Sequence, residues 1–518
     1  MARFRLVGAP VDLLAGDLFA GAVSGVALDF RVRRAYAELD RREAAAAADI
    51  DTGGRPDLGA LRRRVIDAAM ARYVELHAHR PKQRSVPWLA LRIDEPHIGG
   101  SEVAAVMGLN PYKSQRDVVC EKAAPHARAA FGNVACYWGT LFEPVTTAHV
   151  ERACGVVLLA TDLGSVPGVR HHKYSSDAVG RIPFWEYACP ETGDAVLEVA
   201  FPGDAPPAPG AVQREWCAVV EFKDPYRRFP KPDVPAMYHP QVLMGIDTVS
   251  PAELGLFVEA VHRKCAWRDL GAGPQIDRAY HGNAGLRRWR GALAWGAFAV
   301  WAPPDDAAAL HPDDAALLRA VVAYEHGPVA AYAPVVRDHG PVDLGDTHGE
   351  LFGKNETGGV LALIDRGVCV ARSSREVRPG DPPLDAAELA RDPPPGWVLF
   401  GVLPWKLMEI AFHPVRPDPV FVAAAAARIA ETIELVLACR AAPDPLAAAH
   451  AHFDALAAGD SGSPNTAFED EFFAAIAARK SAPRSADFGA PRSAAKNTAF
   501  EDEFFAAIAA RQPATTSR

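Results

Sequence analysis

The residues best equipped for chemistry lie in two short stretches, Ser175-Ser176-Asp177 and Val219-Val220-Glu221-Phe222-Lys223-Asp224-Pro225. Cys217, Val219, Val220 and Phe222 are β-formers, and side chains alternate along a strand, so the spacing predicts a strand with Glu221 and Lys223 on one face. With Asp177 on a neighbouring strand, two acidic groups would grip a hard cation such as Mg²⁺, and the lysine would orient or deprotonate a water beside it. That set suffices for metal-assisted hydrolysis of a phosphodiester. Read alone, Asp…Glu-x-Lys is more often a solvated edge strand carrying an ion pair.

Other elements must bring further groups to this edge. Ser101 is placed as the N-cap of a helix running to Met107 and ended by Gly108; free N–H groups at such a start favour an anion, although an ordinary capped helix packing Val103 and Val106 has the same pattern. A second helix runs from Tyr137 to about Cys154, closed by Gly155, and carries Glu143. Gly139, on the same turn, would let a backbone approach closely. Beyond it the sequence reads as strands Val156–Leu159, Lys173–Val179 and Trp216–Phe222, with a protruding hairpin over Phe184–Arg214. A helix follows from about Ala236 to Thr248, with Tyr238 and Gln241 three apart on one face, and then the strand Leu254–Val261. Mixed strands framed by helices give an α/β sheet between helical layers.

Composition bounds the rest. The chain has 518 residues, 49% hydrophobic content and a net charge of −9, so it buries one large core or two, and any nucleic-acid contact must come from a local basic groove. Eight cysteines without a C-x-x-C pair disfavour a zinc ribbon or a disulfide scaffold and fit a reducing compartment. No apolar run approaches a membrane span and no signal peptide is evident, so the expectation is a soluble, intracellular protein with no membrane partner. Residues 1–85 read as a helical N-terminal segment, with helices over Ala35–Ala48 and Leu61–His79. Its Arg62, Arg63 and Arg64 would line a solvated face or touch phosphates.

Taken in order, Trp88…Arg92, Gly99-Gly100-Ser101, Trp138-Gly139-x-x-x-Glu143, Ser175-x-Asp177, Glu221-x-Lys223-x-Pro225 and Tyr238-x-x-Gln241 resemble the YqaJ-type viral recombinase exonucleases, the lambda-exonuclease group of the PD-(D/E)XK nucleases. The resemblance spans roughly residues 86–265. It resumes at Pro404-Trp405-Lys406, similar to the family's last strand, followed by a closing helix over Asp418–Ala438. It implies a restriction-endonuclease-like core, a mixed β-sheet flanked by helices, that degrades duplex DNA from its ends, 5′ to 3′. The implied cofactor is Mg²⁺, with Mn²⁺ as a substitute. Asp177, Glu221 and Glu143 would hold the metal, Lys223 would position the water, and Gln241 and Tyr238 would line the site. Arg92 and Ser101 would read a 5′-phosphate.

The chain also departs from the family. Pro167 stands near the place of an aspartate that helps hold a second metal, so one ion is expected unless Asp162, Asp194 or Glu198 substitutes. Asp224 stands where the family often has cysteine, and its charge would add metal affinity or merely cap the strand. Arg92 lies farther from the glycine turn than the family pattern has it, which weakens exonuclease relative to structure-selective endonuclease action. A third reading is a non-catalytic DNA-end-binding scaffold on a decayed nuclease fold. An oligomer is compatible with all three.

The resulting division is 1–85, a nuclease domain over 86–440 (core 86–265 and 396–440, insertion 270–395), and a tail over 441–518. In the insertion, Trp289, Trp295 and Trp301 suggest a helical stretch, Gly340–Arg378 reads as short strands, and Arg366, Arg372, Arg375 and Arg378 form a loop that is solvated or follows phosphates. Within the tail, which has a disordered composition, Asn465–Arg479 recurs unchanged as Asn497–Arg511. Each copy reads as a short capped amphipathic helix with Phe468, Phe472, Phe473 and Ile476 on one face. Two copies on a tether suit bivalent binding. By resemblance, the partner would be a single-strand-annealing or single-strand-binding protein.

Overall fold

The computed structural model describes residues 13, 18–19, 22, 24–48, 57–78, 87, 90, 96–125, 133–159, 164–165, 171–270, 287–304, 310–345, 359–378 and 380–457. Its strands are β1 (Ile98–Gly99), β2 (Leu158–Leu159), β3 (Gly164–Ser165), β4 (His172–Tyr174), β5 (Ala178–Ala188), β6 (Ala195–Val199), β7 (Val212–Lys223), β8 (Leu254–Lys264), β9 (Arg287–Ala302), β10 (Val342–Asp343), β11 (Val370–Ser373) and β12 (Val398–Val415). Nine form one mixed sheet in the order β11-β9-β12-β8-β7-β5-β2, with β10 on β12 and β6 on β5. The pair β7–β8 is parallel, whereas β5–β7 and β8–β12 are antiparallel. A small sheet, β1-β4-β3, stands apart from it.

Alternation along β7 and β8 assigns the two faces. Phe142, on the Val134–Cys154 helix, stacks on His262, while Tyr238, capping the His239–Thr248 helix, stacks on Phe257. Odd-numbered β8 residues therefore face the second helix and even-numbered ones the first. The main core fills the layer under the Val134–Cys154 helix, from Trp138 and Phe142 to Val220, Phe222, Val258 and Phe298. The observed architecture is a mixed α/β sheet flanked by helices.

Several expectations change in detail. The predicted strand Lys173–Val179 is two strands: β4 ends at Tyr174, and after Ser175-Ser176-Asp177 the chain joins the large sheet as β5. The predicted helix around Trp295 and Trp301 is β9. Trp295 and Trp301 are buried together with Ala297 and Ala299 on one of its faces, and Trp289 falls on the same strand. Two helices, Gly25–Ala48 and Leu58–His77, form the N-terminal region. There Arg62 is buried rather than solvated, bonded to the Glu215 carbonyl at 2.9 Å, paired with Glu253 and stacked on Trp216. Residues 346–358 and the repeats at 465–479 and 497–511 lie outside the described residues. Among the described residues no helix is long and apolar enough to cross a membrane. All eight cysteines are free thiols.

Candidate active site

β7 ends at Lys223, and its last turn of alternation directs Glu221 and Lys223 toward the His239–Thr248 helix. Glu221 is almost wholly buried, so its charge needs partners. It has three donors: Lys223 Nζ and Gln241 Nε2 both bond Oε1, and the Tyr174 hydroxyl bonds Oε2 at 2.9 Å. Asp177, between β4 and β5, accepts the Phe222 N–H at 2.7 Å through Oδ2, which fixes it beside the Glu221 edge. Asp177 is half-buried, and the Lys223 side chain keeps 24% of its exposure, so the edge stays open.

The electrostatics follow from this crowding. Burial first, then Glu221 and Glu143, push the Asp177 carboxyl well above the usual carboxylate range, against Lys223 and the Phe222 amide. For Lys223 burial works against the charge, but Glu221 and Asp177 outweigh it and its pKa rises. The ammonium therefore keeps its proton beside these carboxylates and serves as a hydrogen-bond donor. Burial, Glu221 and Asp177 likewise raise Tyr174, so its hydroxyl stays neutral and donates.

Three contributors are not marked by the sequence motifs. Tyr174 is one, and two glycines seat it: a Cβ on Gly100 would fall 2.3 Å from Tyr174 Cδ2, and one on Gly245 would fall 2.7 Å from Cζ. Gly100 of the Gly-Gly-Ser turn thus makes room for the tyrosine that holds Glu221. The others are Glu259, fully buried opposite Lys223 in the β7–β8 register, and Arg228, which pairs with it from the loop after β7. Lys223 and Arg228 both lie over the Tyr238 ring, at 5.3 and 5.5 Å. A visible signal for Glu259 was its charge in an otherwise apolar run, Leu256-Phe-Val-Glu-Ala-Val261.

The remaining expected residues are distributed as follows. Glu143 is half-buried on the Val134–Cys154 helix, close enough to act on Asp177, whereas Gly139 has open space where a Cβ would point, so no backbone approach requires it. Tyr238 is the N-cap of its helix, and Gln241 lies inside it. Ser101 is exposed in the helix Gly100–Val106 but is not its N-cap: Gly99 is, and the Gly99 N–H is taken by Glu102 Oε2 at 2.8 Å. Glu102 is itself held by Lys122 at 2.8 Å. Arg92, Asp162 and Pro167 lie outside the described residues. Asp194 is exposed in a hairpin turn, and Glu198 accepts from Tyr187 at 2.9 Å. Asp224 turns away from the edge, accepting from Thr146 at 2.6 Å and from His262 at 3.0 Å.

Among the described residues no three His, Cys, Asp or Glu side chains gather closely enough to hold a metal ion. Glu221 is engaged by its own donors, so it could help to hold an ion only by giving up one of those bonds. The donor chemistry nevertheless fits a hard dication. Asp177 is held up first by burial and then by the Glu221 and Glu143 carboxylates, and a bound dication would relieve both the desolvation and the repulsion.

Ser101, Glu143 and Asp177 fall inside one recognisable segment. Residues 87–199 match the YqaJ-like viral recombinase domain. Glu221 and Lys223 lie beyond the matched part of this YqaJ-like domain. The chain is also similar to a protein of African swine fever virus: 30% identical over 240 residues in the Badajoz strain and 29% over 246 in a tick isolate from Malawi. Each match covers 45% of this chain and 64% of the viral protein, so the chain spans just under two thirds of the relatives' length. Among solved structures, an alkaline exonuclease from Laribacter hongkongensis is 18% identical over 34% of this chain and 74% of its own, with a TM-score of 0.22. The same enzyme in complex with dAMP is 17% identical, also at 0.22, over 34% and 73%.

Proposed function

We propose that this protein is a divalent-metal-dependent deoxyribonuclease of viral recombination type that degrades duplex DNA from its ends, 5′ to 3′. The observation that carries the reading is the convergence of Asp177, Glu221 and Lys223, from separate chain segments, on the open end of β7. The YqaJ-like match supports DNA as the substrate. Asp177, Glu221 and Glu143 are the residues that would hold Mg²⁺, and a bound Mg²⁺ supplies Lewis-acid activation of water and stabilises the leaving oxygen. Lys223 donates to the attacking water or to a phosphate oxygen. Gln241 and Tyr174 hold the Glu221 carboxylate, and Tyr238 backs the lysine. Ser101 and Arg92 are the candidates for the 5′-phosphate.

The test incubates linear and closed-circular duplex with the protein in Mg²⁺ and in EDTA. Loss of linear DNA only, abolished by EDTA, is the expected result, and Lys223→Ala should bind DNA yet cut at least about a hundredfold more slowly. Cleavage of circles would point to an endonuclease, and no cleavage with any metal would point to an end-binding scaffold.

A further inference from the structure

We propose that Asp224 is a positioning residue that sets the metal affinity of the site by tying the helix of Glu143 to the strand of Lys223; this rests on the nuclease reading above. Asp224 directly follows Lys223, and its side chain leaves the opposite face of the sheet, where its Oδ1 accepts the Thr146 hydroxyl at 2.6 Å and the His262 Nδ1–H at 3.0 Å. Thr146 and His262 are at most 1% exposed and Asp224 6%, so water does not compete for these bonds. Thr146 lies three residues after Glu143 on the Val134–Cys154 helix. One bond therefore joins the two halves of the site, one residue from Lys223 and three from Glu143.

The helix itself holds this turn poorly. Pro144 has no N–H to give the Thr140 carbonyl, so an intrahelical bond is missing beside Glu143. The Thr147 hydroxyl, donating to the Glu143 carbonyl at 2.8 Å, gives no direction relative to the sheet. That direction comes from below: His262 is clamped between Phe142, stacked at 4.4 Å, and Trp405, edge-on at 5.2 Å, and its Nδ1–H orients Asp224 toward Thr146. The alternative role of an acid beside Glu221 and Lys223, that of direct metal ligand, is disfavoured because Asp224 points into this buried network.

The experiment measures Mn²⁺ binding to the DNA-free full-length protein by electron paramagnetic resonance of the unbound ion, with melting temperature as a fold control. Thr146→Val removes the bond while keeping the side chain's shape, and should weaken Mn²⁺ binding about tenfold or more without unfolding the protein. Asp224→Ala should do the same, and Asp224→Asn, which keeps the acceptor oxygen, should stay within about twofold of wild type, by the same reasoning about ligand supports. Wild-type affinity in all three variants would overturn the proposal, as would Asp224→Asn binding as weakly as Asp224→Ala while Thr146→Val binds normally, the signature of a direct ligand. Should Asp224→Ala fail to fold, the Thr146→Val and Asp224→Asn pair decides alone. Absence of Mn²⁺ binding by the wild type would instead sink the nuclease reading, and this proposal with it.

Discussion

Glu221 is a buried carboxylate surrounded by donors, and removing any one of them should be felt. Tyr174→Phe leaves Oε2 of a buried carboxylate short of a charge-assisted bond, a loss of about 1.5–3 kcal/mol; urea unfolding that matches wild type would show that the hydroxyl does not hold Glu221. Gly245→Ala gives a sharper test, because two effects compete. Alanine favours a helix interior over glycine by about 1 kcal/mol, but its Cβ would fall 2.7–2.8 Å from the Tyr174 ring and hydroxyl, and overpacking of that kind costs about 1–3 kcal/mol. The expected net outcome is a less stable protein with the tyrosine displaced from Glu221, read as a lower urea midpoint and lower nuclease activity together. Glu221, Lys223 and Asp177 were legible because a strand's alternation and a short motif announce them. Tyr174 was not, since its partner lies 47 residues away, although Gly100 in the Gly-Gly-Ser turn was its visible shadow.

At the scale of elements, period decided what the sequence could tell. Six residues turn a helix through about 600°, which leaves successive side chains about 240° apart, whereas in a strand the same interval returns to the same face. The six-residue interval from Trp295 to Trp301 therefore suits β9, where both lie on one buried face, and not the helix that the spacing was expected to mark. The four arginines of the 366–378 segment are engaged within the chain: Arg366 with Asp314, Arg372 with the Asp392 carbonyl, Arg375 with Glu388 and Arg378 with Glu376. Glu376 ties this segment to the Val134–Cys154 helix through His149 and Arg152, both at 3.2 Å. Burial pushes the Glu376 carboxyl up, yet His149, Arg378 and Arg152 outweigh it and hold it at about 2. A folded-state pKa below the unfolded 4.5 contributes stability that is present above pH 4.5 and lost as the pH falls through about 2. Glu376→Gln should accordingly lower stability at pH 7 by about 1–2 kcal/mol, allowing for solvent screening. The gap between variant and wild type in urea midpoint should narrow at pH 3.5, and a gap independent of pH would mean that the tie is not ionic.

For the molecule as a whole, the question is what joins the N-terminal helices to the sheet. Leu61, Val65 and Ala69 supply apolar area along one helix face, as their spacing predicts, and polar contacts make the connection specific: the Tyr36 hydroxyl donates to the Pro251 carbonyl at 2.8 Å, Arg181 pairs with Asp67 at 2.9 Å, and Arg62 gathers the largest set. Arg62 reaches the Glu215 carbonyl on β7, Glu253 just before β8, and Asp40 and Glu43 on the first helix at 3.5 and 3.6 Å, with its guanidinium 4.5 Å above Trp216. Sequence alone gave no way to choose Arg62 among three consecutive arginines, because partners at positions 215 and 253 exist only after folding. Arg62→Met keeps the apolar stem and deletes the charge, leaving Glu253 buried without its counter-ion, a change expected to cost about 3–5 kcal/mol. Burial already raises the Glu253 carboxyl to about 7, and Glu253→Gln in the same chain removes the stranded carboxyl and should restore part of that loss, so the two changes should be less than additive in a double-mutant cycle. Limited proteolysis of Arg62→Met should attack the helices Gly25–Ala48 and Leu58–His77 first, while the sheet with Glu221 and Lys223 stays resistant. If the single variant were as stable as wild type, attachment of the helices would rest on Leu61, Val65 and their neighbours, and the buried cation would be a passenger.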